Sequence, residues 1–180
     1  GLHNVENYMT AAALTRGLAE NDDLRHIART FGGVPHRIEL VRELDGVKYY
    51  NSSIDSTPTR TEAALSVFDC RPVFILCGRD KHLPFDCLAR ALYDRAGGVV
   101  VSGEAMPVIR AALEAEAARR GGSTLPVVYE DDFFAAVDRA RELARPGSAV
   151  VLSPSCTSFD RFRNFEERGN AFREYVNRLK

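Results

Sequence analysis

The sequence predicts a doubly wound, Rossmann-like α/β domain with a mostly parallel sheet, opened by a β-hairpin and preceded by a short helical segment. Three observations carry this expectation. Short stretches that are apolar throughout, such as Val73-Phe-Ile-Leu-Cys77, alternate with longer stretches of helical period, the pattern of strands covered on both faces by crossover helices. Asp45-Gly46 joins two β-rich stretches and is a strong signal for a tight hairpin. Gly32-Gly33-Val34-Pro35 is a linker-like seam, which divides the chain into segments 1–33 and 34–180.

Taken in order, Val5, Tyr8, Met9 and Ala12 fall at helix-face spacing, with Asn4 able to cap the start. A second short helix is expected over 23–31, with Leu24, Ile27 and Ala28 on one side. The hairpin strands are expected over 36–44 and 47–51. Thr57-Pro58 opens a helix, proline being favoured in the first turn. Strands over 73–77, 98–102, 127–129 and 148–152 then alternate with helices over 85–95, 104–120 and 131–144, and a helix over 166–179 closes the chain. Asp131 and Asp132 lie where the positive end of their helix favours carboxylates.

Composition narrows the function classes. Of 180 residues, 45% are hydrophobic and 27% charged, and the formal net charge is -1 with both signs interspersed. Nucleic-acid binding would call for a basic excess on one face, so no such partner is expected. No apolar run approaches the roughly 18–20 residues needed to cross a bilayer, and no charged-then-apolar leader opens the sequence, so a cytoplasmic location away from membranes is expected. Cys70, Cys77, Cys87 and Cys156 contain no CxxC pair and read as reduced hydrophobic residues. The four histidines lack metal-ligand spacing, and no metal site is expected.

In an open parallel sheet, ligands bind beyond the carboxyl ends of the strands. Three loops there are unusually polar: Asn51-Ser-Ser-Ile-Asp-Ser-Thr-Pro58, Cys77-Gly-Arg-Asp-Lys-His82 and Ser153-Pro-Ser-Cys-Thr-Ser-Phe-Asp160. Together they bring a lysine, an arginine and several hydroxyls, donors suited to the carboxylates of a small anion. Serine, aspartate and glycine equally serve as caps in any strand-to-helix turn, and a lone lysine is ordinarily solvated. No GxGxxG or GxxxxGK[ST] string is present.

The strings themselves carry a resemblance. Gly1-Leu-His-Asn-Val-Glu-Asn7, Phe31-Gly-Gly-Val-Pro-His-Arg37 with Glu39, Asp45-Gly-Val-Lys-Tyr-Tyr-Asn-Ser-Ser53, Gly78-Arg-Asp-Lys81 with Phe85, and Leu152 to Asp160 through Phe165-Glu-Glu-Arg-Gly169 run in order along the chain. They resemble motifs of the Mur ligase family, and the closing string is most similar to that of its D-glutamate-adding members. The resemblance implies that 1–33 is the helical tail of the family's central ATPase domain and 34–180 its C-terminal amino-acid-binding domain. It implies an ATP-dependent ligase that adds D-glutamate to UDP-N-acetylmuramoyl-L-alanine through an acyl phosphate, in peptidoglycan precursor synthesis, as a monomer.

Site roles follow by motif. Lys81, Ser56, Ser158, Phe159 and Phe165 are implied to bind D-glutamate, and Asn4, Asn7 and Arg37 to contact ATP. The resemblance implies no catalytic residue within the chain. ATP and Mg2+ would be held mainly by a central domain absent from this sequence, so the chain alone is expected to be inactive. His36 is expected to be structural. Two departures stand out: Ser52 replaces an aspartate found in many relatives near the ATP ribose, and Ile54 replaces a lysine found in some. Two other readings remain open, another Mur-type or folylpolyglutamate-type ligase, and a stand-alone Rossmann-like binding module without catalysis.

Overall fold

A computed structural model describes the backbone of residues 2–122 and 124–180, with side chains from residue 5 onward. It divides into two compact units, residues 1–34 and 35–180, one residue past the expected seam. The first unit holds helices α1 (Leu2–Leu14) and α2 (Asn21–Thr30). Asn4 lies inside α1 instead of capping it. The Tyr8 hydroxyl donates to the carbonyl of Leu24, tying the two helices, and the Glu20 N–H donates to Asp23 at 3.1 Å to start α2.

The second unit runs β1 (Glu39–Leu44), β2 (Val47–Asn51), α3 (Pro58–Leu65), β3 (Val73–Cys77), α4 (Asp86–Arg95), β4 (Gly98–Ser102), α5 (Met106–Arg119), β5 (Val127–Tyr129), α6 (Phe133–Leu143), β6 (Ala149–Ser155) and α7 (Phe165–Arg178). The six strands form one sheet in the order β1-β2-β6-β3-β4-β5. Only β1 and β2 are antiparallel. Asp45 (φ 54) and Gly46 (φ 75) supply the two left-handed residues of a two-residue hairpin turn.

Because strand side chains alternate faces, each buried strand feeds two cores. Phe74, Leu76, Val99 and Val101 pack with Leu88, Leu92, Ile109 and Leu113 of α4 and α5. Ile75, Val100, Val150 and Leu152 pack with Val137, Phe172 and Val176 of α6 and α7. Proline would ordinarily end a strand, yet β6 continues through Pro154. Ile75 pairs with Leu152 and Cys77 with Ser155, so Ser153 and Pro154 lie opposite the single residue Leu76. That bulge removes the need for an N–H at Pro154 and carries the strand to the sheet's polar rim.

Helix starts also shift slightly. Asp132 caps α6, its Oδ1 accepting from Phe134 N–H (2.9 Å) and Ala135 N–H (2.8 Å), and Asn164 caps α7 through Glu167 N–H (2.8 Å). Among the described residues, no helix is long and apolar enough to cross a membrane.

Candidate functional site

The topology sets the site. β2, β6 and β3 are neighbours and all point the same way, so the loops that follow them share one rim. The last two are stitched together beyond the sheet: Arg79 N–H donates to Thr157 O (2.9 Å) and Thr157 N–H to Arg79 O (3.1 Å). Gly78 permits this approach. Its φ is +120 and an added Cβ would lie 2.0 Å from the Thr157 carbonyl oxygen.

On this rim the Lys81 ammonium donates to Ser56 Oγ at 3.1 Å, so two of the five expected amino-acid contacts meet directly. Ser158 follows the stitched Thr157; it is buried, and its carbonyl accepts from Phe162 N–H (2.8 Å) and Arg161 N–H (3.2 Å). Phe159 is 59% exposed. Phe165 is half-buried and stacks edge-on against His36, centroids 6.0 Å apart. Its carbonyl accepts from Ser53 Oγ (2.8 Å), so its contacts are with His36 and Ser53. Arg37 is exposed beside His36, and its charge reaches Asp55. Asn7 is exposed on α1, and the side chain of Asn4 lies outside the described residues.

Beneath the rim lies a buried polar layer. Asn51 Nδ2 donates to His36 Nδ1 (3.0 Å) and Gly169 O (3.2 Å), which leaves the His36 proton on Nε2. Burial pushes the His36 pKa down, with Arg173 adding to the effect. Glu39 feels burial in the opposite sense, but the bidentate Arg173 (2.9 and 3.1 Å) and the His36 N–H (2.8 Å) hold it below the usual carboxylate range. Asp55 accepts from Ser153 Oγ (2.9 Å), which also lies in hydrogen-bond contact with Thr61 Oγ1 (2.9 Å), and Ser155 donates to the same threonine (3.0 Å). Burial raises the Asp55 pKa. Burial also pushes Cys77 up to about 11 and Cys156 to about 12, so both thiols stay protonated and unreactive.

Arg168 was not singled out by sequence. It is 1% exposed, and its guanidinium donates to Ser53 Oγ (3.0 Å), Ser53 O (2.8 Å), Cys156 O (3.3 Å) and Cys77 O (3.4 Å). One residue thus ties together all three rim loops. A signal was present: Arg168 falls on the same helical stripe as Phe165, Phe172 and Val176, where a charge must find partners.

The matches to known proteins agree with this architecture. A family model described as "Mur ligase, glutamate ligase domain" matches residues 36–156. UDP-N-acetylmuramoylalanine--D-glutamate ligase of Clostridium novyi (strain NT) is 45% identical over 179 residues, covering 99% of this chain and 39% of that protein. The protein of the same name from Acetivibrio thermocellus is 44% identical over 180 residues, again covering 99% and 39%. The chain therefore spans about two-fifths of the length of the curated relatives it matches.

Solved structures support the fold. A murein peptide ligase from Psychrobacter arcticus 273-4 superposes with a TM-score of 0.62 at 18% identity, over 100% of this chain and 38% of that one. Mycobacterium tuberculosis folylpolyglutamate synthase, complexed with ADP and AMPPCP, gives 0.59 at 18% identity, over 86% and 35%. The three-loop rim, the strand order and the match over residues 36–156 together place this chain in the Mur ligase family, as a glutamate ligase domain.

Proposed function

We propose that the chain is the amino-acid-delivering part of an ATP-dependent ligase that joins D-glutamate to UDP-N-acetylmuramoyl-L-alanine in peptidoglycan precursor synthesis. The observation that carries this reading is the Lys81 ammonium, held 3.1 Å from Ser56 Oγ and used by no ion pair among the described residues. A dicarboxylate amino acid supplies the missing counter-charge. One carboxylate pairs with Lys81, the hydroxyls of Ser56 and Ser158 donate beside it, and Phe159 and Phe165 border the pocket. The names of the relatives above support D-glutamate as that amino acid.

In the complete enzyme, the terminal phosphoryl group of ATP passes to the muramoyl-alanine carboxylate. The D-glutamate nitrogen, once deprotonated, attacks the acyl carbon; the C–N bond forms as the C–O bond to phosphate breaks, and phosphate departs. This chain contributes proximity and the exclusion of water from a reactive anhydride. Arg37 reaches the nucleotide phosphates, and Asn4 and Asn7 the nucleotide. Residues 1–33 belong to the tail of the ATPase domain and residues 34–180 form the amino-acid-binding domain. ATP and its Mg2+ would be held mainly by the central ATPase domain; among the described residues here, no group of three or more His, Cys, Asp or Glu side chains fits a metal ion. The chain alone does not ligate. The reading carries with it a cytoplasmic, monomeric enzyme, the latter checked by light scattering.

The test uses the protein expressed from the complete reading frame that encodes this chain. Lys81→Ala should weaken D-glutamate binding about ten- to a hundred-fold, the cost of one charge-assisted hydrogen bond. Calorimetric titration reads this directly, and undiminished affinity in the variant would remove Lys81 from its role.

A further inference from the structure

The segment that leads into β1 is bent in an unusual way. His36 (φ 62) and Ile38 (φ 49) both have left-handed backbones and flank Arg37. For a β-branched residue such as Ile38 this conformation is a true outlier, and it persists only where the surroundings over-determine it. Three hydrogen bonds do so here. His36 N–H donates to Glu39 Oε2 (2.8 Å), Ile54 N–H donates to His36 O (3.2 Å), and Ile38 N–H donates to Ser52 Oγ (3.1 Å).

Of these acceptors, Ser52 is the best anchored. It has no solvent exposure, its N–H donates to Leu152 O of β6 (2.8 Å), and its carbonyl accepts from Asp55 N–H (2.9 Å). Its hydroxyl also helps hold the Asp55 pKa down against the effect of burial. The serine therefore joins β6, the Asp55 backbone and the amide that follows Arg37. Arg37 itself is exposed and enters no ion pair among the described residues, so the strained turn presents a guanidinium that the domain does not consume.

We infer that Ser52 is a positioning residue: by accepting the Ile38 amide it locks the left-handed turn that aims Arg37 at the phosphate chain of the nucleotide. This rests on the ligase reading above and adds to it a residue that touches no substrate. Alanine at position 52 frees the Ile38 amide, the isoleucine relaxes out of its left-handed conformation, and Arg37 loses its direction. Glycine at position 38 tolerates that conformation without steric cost, so it should offset part of the damage.

The experiment is steady-state kinetics on the protein from the complete reading frame, with KM for ATP, KM for D-glutamate and kcat measured separately. Ser52→Ala should raise KM for ATP about five- to ten-fold, as Arg37→Ala does, while KM for D-glutamate stays within about two-fold. Ser52→Thr should keep wild-type values, Ile38→Gly alone should change little, and Ser52→Ala combined with Ile38→Gly should recover part of the loss. If Ser52→Ala does not fold, Ser52→Cys keeps the volume with a weaker acceptor and takes its place. The inference is overturned if both KM values rise together, if the glycine gives no recovery, or if Arg37→Ala itself leaves KM for ATP unchanged. Absence of D-glutamate-dependent ADP release in the wild type would instead sink the ligase reading.

Discussion

Replacing Arg168 by methionine isolates what the buried guanidinium does. Methionine keeps the unbranched volume and removes every donor. Two of the four hydrogen bonds, to Ser53 O at 2.8 Å and Ser53 Oγ at 3.0 Å, have full-strength lengths, and the pair at 3.3 and 3.4 Å is stretched. Two charge-assisted bonds at about 1.5–3 kcal/mol each come to roughly 3–6 kcal/mol. Removing the donors also strands the carbonyls of Ser53, Cys77 and Cys156 away from water, which adds to the loss. Against this stands the cost of burying a cation with no carboxylate bonded to it, which methionine relieves. The balance predicts a net loss of about 3–5 kcal/mol. For a chain of this size that lowers the melting temperature by roughly 6–20 °C. The assay is urea unfolding of the chain followed by far-ultraviolet circular dichroism, with thermal melts alongside. Arg168→Lys should lose most of the same stability, since one ammonium cannot bridge three loops. A methionine variant as stable as the parent, or more so, would refute the reasoning: desolvation would then outweigh the hydrogen bonds, and the rim would be held by other contacts.

Other outcomes follow from the same geometry. Gly78→Ala places a Cβ 2.0 Å from the Thr157 carbonyl oxygen on a backbone with φ +120, and should cost about 1–3 kcal/mol or more, read by the urea midpoint. Gly169→Ala puts a Cβ 2.2 Å from His36 Nδ1 and 3.0 Å from Asn51 Oδ1, and should break the His36–Asn51 hydrogen bond, seen as a changed His36 titration by NMR. Glu116, hydrogen-bonded by Arg119 (2.6 and 2.8 Å) and Arg120 (2.6 Å), has its pKa lowered from 4.5 to about 2. A depressed carboxylate contributes stability above its unfolded value and loses it as pH falls through the folded one. The stability gap between the parent and Glu116→Gln should therefore close as pH drops from about 5 to 2; a gap that stays constant over that window counts against the cluster.

Much of the scaffold was legible because its signals are local. Val73–Cys77 and Gly98–Ser102 are apolar from end to end, and strands buried on both faces must be. Asp45-Gly46 announces its turn because few other pairs tolerate two positive φ values. The extension of β6 to Ser155 was not legible, since Pro154 forbids it unless the ladder bulges there, and the bulge at Ser153–Pro154 exists only against Leu76 of β3, far away in sequence. The same limit governs the site. Lys81 and Ser56 could be named as rim residues from their place after strands, but their 3.1 Å contact depends on which strands are neighbours. Arg168 looked like part of a signature string, and its inward burial becomes visible only once α7 is laid on the sheet. The hydrogen bond from Ile38 to Ser52 joins residues fourteen positions apart across a turn whose dihedrals no propensity would favour.

The position of β6 has a consequence for how the molecule comes into being. The strand nearest the carboxyl end of the chain sits between β2 and β3, so a ribosome releases the hairpin and the β3–β4–β5 wing well before anything can join them. Until residues 149–155 emerge and slot in, each half presents an unsatisfied strand edge, and no rim exists to bind anything. Assembly of the sheet and birth of the binding surface are therefore a single late event, and a nascent chain stalled just short of it would be both inert and prone to pair with its neighbours.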